Sequence, residues 1–157
     1  GYYGNPELTA ETIDADGWLH SGDIAEIDKD GFVYITGRIK NMIVLNGGKK
    51  VFPEEVEAIL ALSNIIQESC VVGVKRDGGL KDGTEEVTAV VVPTEEISNK
   101  YPNDEELTKV LRAEVKELST KLSVFKRPTN VVLSRKPLER TATSKIKRKE
   151  AKALAEK

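Results

Sequence analysis

The sequence predicts an α+β fold in which helices pack on a small mixed sheet, preceded by a β-hairpin. Two short strand patterns flank a Lys-Asp-Gly turn near the start, two β-branched runs lie in the middle, and two segments repeat apolar residues at helical spacing. A chain of 157 residues, 39% hydrophobic and 32% charged, can bury such a core. The predicted order β-β-α-β-β-α-β-α indicates an α+β sandwich.

The hairpin is the first predicted element. Its strands are expected at 24–28 and 32–36, since Asp-Gly between two apolar runs is a strong signal for a tight turn. The pattern breaks at 37–41, which is the best boundary between two domains, 1–39 and 40–157. The chain opens on turn residues without an initiator methionine, so we expect it to be part of a longer protein.

The middle of the chain alternates strands and a helix. A buried strand at 42–45 leads through a glycine turn to a helix at 53–62, which has a proline in its first turn and acidic residues near its amino end. The β-branched strands 68–75 and 86–94 flank a loop rich in glycine and aspartate, 76–86. These strands are expected to form the centre of the sheet.

The last third completes the sandwich. Leucines and valines recur on one stripe of a predicted helix at 104–118, which follows an Asn103 or Asp104 cap. A short strand is expected at 130–134, and a helix rich in lysine and alanine at 147–156.

Charge is distributed unevenly along the chain. Residues 1–120 carry a net charge of −11 and residues 121–157 one of +9, within a total of −2. Such polarity indicates that one end meets an anion, whether nucleic acid, a lipid surface or a phosphorylated ligand. The single cysteine, Cys70, lies in an apolar stretch, so it is expected to be buried in a strand and to fit a reducing, cytoplasmic setting.

In each of two motifs, glycine residues accompany a charged side chain that can bind a ligand. Asp23, in a Gly-Asp corner, can accept two hydrogen bonds from a vicinal diol such as ribose offers, or it can simply cap the turn. Arg38 has a planar fork suited to phosphate or ribose oxygens. Gly47 and Gly48 permit close approach of a ligand to the backbone. Arg38, Gly47 and Gly48 belong to the second motif, residues 37–57. The alternative for this motif is a plain hairpin turn with a solvated arginine, which are common features when each is taken separately.

A third motif is PLERTATSKIKR, residues 137–148. Lys145 carries a point charge that suits a developing negative charge, and Thr141, Thr143 and Ser144 can fix a phosphate beside it. The alternative is a flexible, solvated basic tail, which is the commoner meaning of a charge run.

Read in order, GYYGNPELTAETI, DGWLHSGD, DGFVYITGRIKNMIVLNGGKKVFPEEVE and PLERTATSKIKR resemble the closing third of the adenylate-forming acyl-CoA synthetases. The chain is most similar to the long-chain fatty acid:CoA ligase branch. The resemblance implies that 1–39 are the last strands of an N-terminal adenylation domain and that 40–157 form the C-terminal lid. It also implies activation of a carboxylic acid by ATP to an acyl-adenylate, followed by transfer of the acyl group to CoA.

The resemblance assigns roles to several residues. Asp23 would hold the ribose hydroxyls, Arg38 would contact the nucleotide, and Lys40 would be the hinge on which the lid rotates. Either Gly47 or Gly48 would line the pantetheine channel.

Lys145 would be the catalytic lysine of the last family motif, lying between the substrate carboxylate and the α-phosphate of ATP. Ser144 departs from the pattern, because the family commonly has glycine at this position. The implied cofactors are ATP, Mg²⁺ held mainly by ATP, and CoA, with no metal site in the chain itself. The implied partners are the carboxylic acid substrate and the N-terminal domain of the same chain, without which the fragment is not expected to be active.

Two alternatives stay open. One is an adenylation domain, or an acid:CoA ligase, for another carboxylic acid. The other is a small anion-binding module for nucleic acid or acidic lipid. No nucleic acid is expected, because Phe125 is the only aromatic residue in 121–157 and bases need stacking partners, whereas peripheral membrane contact stays possible.

Overall fold

The computed structural model describes residues 1–75 and 85–157, so most of the loop predicted at 76–86 lies outside the described residues. The chain forms two compact units, Gly1–Lys40 and Asn41–Lys157. Among the described residues, no helix has the length and apolar character needed to cross a membrane.

The first unit contains a helix and a hairpin. These elements are α1 (Pro6–Thr12), β1 (Asp23–Ile27) and β2 (Val33–Arg38). The antiparallel pairing of β1 with β2 confirms the predicted hairpin, with each strand displaced by a residue or two. Helix α1 was not predicted. It forms because the Asn5 side chain accepts a hydrogen bond from the backbone N–H of Leu8 at 3.0 Å, ahead of a proline at the first helical position.

Two turns of the first unit have the same hydrogen bonds. The Oδ1 atoms of Asp14 and Asp28 each accept from the backbone N–H groups two and four residues later, at 2.9–3.0 Å. Their Oδ2 atoms bind the side chains six residues later, His20 and Tyr34, at 2.9 and 3.0 Å. In both, the bond from the N–H four residues later is the main cause that lowers the carboxyl pKa. The sequence repeat Ile-Asp-x-Asp-Gly behind these turns escaped the sequence analysis.

The second unit is built on a three-stranded sheet. Its elements in chain order are β3 (Ile43–Val44), β4 (Lys50–Val51), α2 (Pro53–Leu60), β5 (Ile66–Lys75), β6 (Glu85–Pro93), α3 (Glu95–Lys100), α4 (Asp104–Leu118), β7 (Asn130–Leu133) and α5 (Arg148–Ala155). The sheet order is β5-β6-β7, with β5 and β6 antiparallel and β6 and β7 parallel, while β3 and β4 form a separate antiparallel pair. The predicted α+β class with a small mixed sheet is confirmed.

Both faces of this sheet are covered. From β6, Val87, Ala89 and Val91 join the core formed with α2 and α4, whereas Val90 and Val92 join a second core beneath α5. Burial on both faces explains why β6 lacks polar alternation after its first two residues, with the buried Thr88 as the single polar residue from Val87 to Pro93.

Boundaries follow the local chemistry. Helix α4 spans the predicted residues, because the Asn103 side chain accepts from two N–H groups of its first turn at 2.8 and 3.2 Å. Helix α2 ends at Leu60, two residues early, and α3 was not predicted. The strand predicted at 42–45 is only two residues long. Cys70 is buried on β5, as predicted, at 1% exposure.

The two units are expected to differ in local stability. In the first unit, which the structure describes completely, no hydrophobic side chain is buried. In this chain of 157 residues, we therefore expect the amides of β1 and β2 to exchange hydrogen on the order of 10²-fold faster than those of β6. Hydrogen exchange read by mass spectrometry measures the ratio. Uniform strong protection from residue 20 onward would show that the hairpin belongs to a single cooperative core.

Candidate functional site

Asp23 and Arg38 form an ion pair at one end of the hairpin. They are cross-strand partners, at the first residue of β1 and the last residue of β2. Arg38 Nε lies 2.7 Å from Asp23 Oδ1, and Arg38 Nη2 donates to the Ser21 carbonyl at 3.0 Å. The side chains are 51% (Arg38) and 27% (Asp23) exposed. The pair thus offers a carboxylate and a guanidinium side by side, which suits a ligand that carries a diol and a phosphate.

Lys40 lies between two anchored neighbours. The backbone N–H of Ile39 donates to the Gly22 carbonyl of the first unit at 2.9 Å. On the other side, Asn41 Nδ2 donates to Glu54 Oε1 of α2 in the second unit at 2.6 Å. Lys40 itself is exposed in a short 3₁₀ turn, Ile39–Asn41, and is the last residue of the first unit. Lys40 therefore lies at the boundary between the two units along the chain.

Gly47 and Gly48 form the turn between β3 and β4. Both have left-handed backbones, with φ of 78° and 75°, and a Cβ atom added to either would meet nothing within 4 Å. Glycine is therefore needed here for conformation and not for space within the unit. The two positions are equivalent by these criteria, so the structure leaves open which glycine would approach a ligand.

Lys145 lies on the returning strand of a small hairpin, residues 138–147, named here the lysine hairpin. Arg140 and Ile146 pair across it, and near its tip the Thr141 N–H donates to the Lys145 carbonyl at 2.8 Å. Ile146 packs against the second core, whereas Lys145 is exposed. Within the described part of the chain, the Lys145 ammonium has no hydrogen bond or ion pair. The hairpin therefore presents this charge to solvent.

Ser144 has the backbone of a glycine. Its φ of 60° makes it the one non-glycine residue with a left-handed backbone among the described residues. This conformation costs an ordinary residue about 1–2 kcal/mol, a penalty that the glycine implied by the resemblance would avoid. Relative to glycine, Ser144 therefore makes this loop conformation less favourable, but the loop still adopts the left-handed backbone that glycine would allow.

Within each unit, the candidate residues are arranged differently. In the first, the structure joins Asp23 and Arg38, which the sequence analysis treated as separate motifs. In the second, Lys145 and the glycine turn occupy separate loops. Residues 1–75 and 85–157 contain no group of three or more side chains that could hold a metal ion.

Comparison with known proteins gives the family. Residues 40–157 match the model of the AMP-binding enzyme C-terminal domain. The chain belongs to the AMP-binding enzyme family. The matched region includes the glycine turn and the lysine hairpin.

One curated relative of this AMP-binding enzyme chain is the medium/long-chain-fatty-acid–CoA ligase FadD8 of Mycobacterium tuberculosis. It is 42% identical over 127 residues, which cover 81% of this chain and 21% of the relative. The chain therefore spans about a fifth of the length of that ligase.

Solved structures agree with this membership. An ATP-bound RpMatB-BxBclM chimera superposes with a TM-score of 0.77 and 32% identity, covering 98% of this chain and 28% of the other. A Mycobacterium tuberculosis fatty acyl CoA synthetase gives a TM-score of 0.60 and 30% identity, covering 97% and 27%. The AMP-binding C-terminal fold is thus shared by adenylate-forming enzymes.

The C-terminal domain also contains a polar cluster that the sequence analysis missed. Arg148, the first residue of α5, donates to Glu57 Oε1 of α2 at 2.6 Å and to the Val71 carbonyl of β5 at 2.7 Å. Burial acts to lower the pKa of Arg148, but the hydrogen bond and charge of Glu57 outweigh it and raise that pKa. Burial also raises the pKa of the neighbouring Cys70 thiol to about 12. The sequence contains one signal for this cluster: Arg148 is an arginine within a run of lysines, and arginine is preferred over lysine in buried ion pairs.

Proposed function

We propose that this chain is the C-terminal part of an ATP-dependent fatty acid:CoA ligase. The acid would be activated to an acyl-adenylate with release of pyrophosphate, and the acyl group then transferred to CoA with release of AMP. The observation that carries the proposal is the Lys145 ammonium, which has no ion pair among residues 1–75 and 85–157 and lies on a hydrogen-bonded hairpin within a domain of the AMP-binding enzyme family. The relation to a medium/long-chain ligase supports a fatty acid as the substrate, and a long chain is our proposal.

The nucleotide would be bound by the pair in the first unit. Asp23 would accept hydrogen bonds from the two ribose hydroxyls, while the arginine held against it orients the carboxylate. Within the first unit, Arg38 Nε binds Asp23 and Nη2 donates to the Ser21 carbonyl. Nη1 has no partner among the described residues, so it would bind an oxygen of the nucleotide. Mg²⁺ would be held mainly by the ATP phosphates.

Lys145 would act in the first half-reaction. An oxygen of the substrate carboxylate attacks the α-phosphorus of ATP, the bond to the β-phosphate oxygen breaks, and pyrophosphate leaves. The ammonium of Lys145 would lie between the carboxylate and the α-phosphate and stabilise the negative charge that develops there. No proton transfer from the lysine is required.

In the second half-reaction, the glycine turn would line the pantetheine channel. Side chains are absent at Gly47 and Gly48, and the space beside each is open within 4 Å, so a thin ligand chain can pass close to the backbone. The thiol of CoA loses its proton to solvent, its sulfur bonds to the acyl carbon of the adenylate, and the bond from that carbon to the phosphate oxygen breaks to release AMP.

The rival interpretation, an anion-binding basic module, is disfavoured by the ion pairs of the second unit. Among the described residues, six cations of 121–157 form ion pairs within the same unit, and five of them bind acids outside this stretch, so the net charge of +9 is not a free basic surface. These pairs are Lys126–Glu55, Arg135–Asp104, Arg140–Glu68, Lys147–Glu139, Arg148–Glu57 and Lys152–Glu85.

A cytoplasmic location, with peripheral membrane contact to collect the fatty acid, is part of the proposal.

The substrate is tested by offering the intact enzyme a panel of acids with ATP, Mg²⁺ and CoA. We expect acyl-CoA and AMP to form with fatty acids, and more slowly with aromatic acids of similar solubility. Preference for an aromatic or short acid would move the chain to another acid:CoA ligase. Steep, salt-dependent binding of arbitrary DNA without ligase activity would support the rival module.

Lys40 is the proposed hinge, so Lys40→Pro in the intact enzyme is expected to slow one half-reaction about tenfold and to leave the other near wild type. Proline fixes φ between two neighbours that are each anchored to a different unit, and this hinders rotation. The two half-reactions are measured separately. Lys40→Ala, which keeps a free φ, is the control, and equal loss in both half-reactions, or loss in neither, would count against a hinge here.

A further inference from the structure

We propose that Glu68 positions Lys145 through Arg140, an inference that rests on the proposed catalytic role of that lysine. Glu68 lies on β5 and is 15% exposed. Its Oε2 accepts from the Leu138 N–H at 2.8 Å, and its Oε1 accepts from Arg140 Nη2 at 2.9 Å. One carboxylate on the central sheet therefore holds the outgoing strand of the lysine hairpin at two points.

Arg140 carries the constraint across the hairpin. While Nη2 binds Glu68, Nη1 of the same planar guanidinium donates to the Ser144 carbonyl at 2.7 Å. Because the guanidinium is rigid, fixing one end orients the other. A bond to this carbonyl also helps to hold Ser144 in its left-handed conformation, which a residue with a side chain otherwise disfavours.

The peptide group between Ser144 and Lys145 is consequently held from both sides. Arg140 binds its C=O, and the Lys145 N–H donates to Thr141 Oγ1 at 3.2 Å. Since a peptide group is planar, these two bonds fix the orientation of the backbone from which the Lys145 side chain departs. Glu68 and Arg140 are thus positioning residues and do not themselves touch the substrate.

The same hairpin supplies a matched control. Lys147 and Glu139 also form an ion pair, at 3.2 Å, but their side chains are 44% and 63% exposed. Their charged atoms make no hydrogen bond to the Ser144–Lys145 peptide among the described residues. Glu139→Gln therefore changes the charge of the hairpin without releasing that peptide group.

The first test measures the half-reactions of the intact enzyme. Glu68→Gln and Arg140→Lys are each expected to slow acid-dependent pyrophosphate exchange about tenfold, through kcat and not through the KM for ATP. Thioester formation from a supplied acyl-adenylate should stay near wild type, as should both half-reactions of Glu139→Gln. Arg140→Lys keeps the charge but cannot bind Glu68 and Ser144 together, and it provides the test if Glu68→Gln does not fold.

The second test asks whether Glu68 acts through Lys145. In a Lys145→Ala background, Glu68→Gln should slow pyrophosphate exchange no further, because there is no ammonium left to position. Equal slowing of both half-reactions by Glu68→Gln, or an unchanged tenfold effect in the Lys145→Ala background, would overturn the inference in favour of a general structural role. If Lys145→Ala slows exchange and neither Glu68→Gln nor Arg140→Lys does, the inference fails and the proposed function stands. If Lys145→Ala itself has no effect, the proposed function fails, and the inference with it.

Discussion

Replacing Lys145 by alanine in the intact enzyme is expected to slow adenylate formation by roughly 10²–10³-fold, the usual loss when one preorganised donor to a developing charge is removed. Thioester formation from a supplied acyl-adenylate should change little, because rotation of the lid would have carried the lysine hairpin out of the site by then. Pyrophosphate exchange measures the first half-reaction, and consumption of the adenylate in the presence of CoA measures the second.

Two neighbouring lysines serve as controls for this variant. Lys149 is exposed on the first turn of α5, and among the described residues the Lys147 ammonium pairs only with Glu139 at the surface. Alanine at either position is expected to leave both half-reactions near wild type, since such pairs contribute about 0–1 kcal/mol. If Lys145→Ala slowed both steps alike, or if Lys147→Ala matched it, the assigned role of Lys145 would be wrong and a basic tail would be the better interpretation.

Arg148→Met is expected to lower the free energy of unfolding of this chain by about 2–3 kcal/mol. The variant keeps much of the side-chain volume but removes the charged donor of Glu57, whose carboxylate retains the Val71 N–H at 2.7 Å. It also removes the Arg148 donor from the Val71 carbonyl. Breaking a fully buried pair costs about 3–5 kcal/mol, and Arg148 and Glu57 are 25% and 21% exposed, which places the loss below that range. Urea denaturation of wild type and variant measures the difference.

The control for Arg148→Met is Arg112→Met. Arg112 is exposed on α4 and has no ion pair within the described chain, so its loss should change the free energy of unfolding by less than about 0.5 kcal/mol. Equal shifts in the two variants would mean that the cluster around Arg148 adds nothing beyond an ordinary surface arginine.

The sequence predicted the elements whose signals are local. The helix at 104–118 was found because its cap and its apolar stripe both lie within the segment. Helix α1 was missed, although Asn5 and the following proline are also local signals, because the same residues are equally typical of a turn.

Contacts between distant segments could not be predicted in the same way. The pairing of Asp23 with Arg38 depends on a register shift between Ile24 and Ala25 in β1. No residue pattern in the sequence predicts this shift. Glu68 lies 72 positions before Arg140, so only the folded sheet shows that the two meet. The motifs therefore gave candidate chemistry, and the fold gave the partners that orient it.

The central claim is tested most directly by acid-dependent exchange of labelled pyrophosphate into ATP, catalysed by the intact enzyme in the absence of CoA. Without CoA, adenylate formation and its reversal are the only steps that can proceed. We therefore predict exchange, and we predict that it requires both the fatty acid, which is a reactant, and Mg²⁺, which would accompany ATP. Absence of exchange with every carboxylic acid tried, from an enzyme shown to be folded, would contradict the assignment of this chain to an acyl-adenylate-forming ligase.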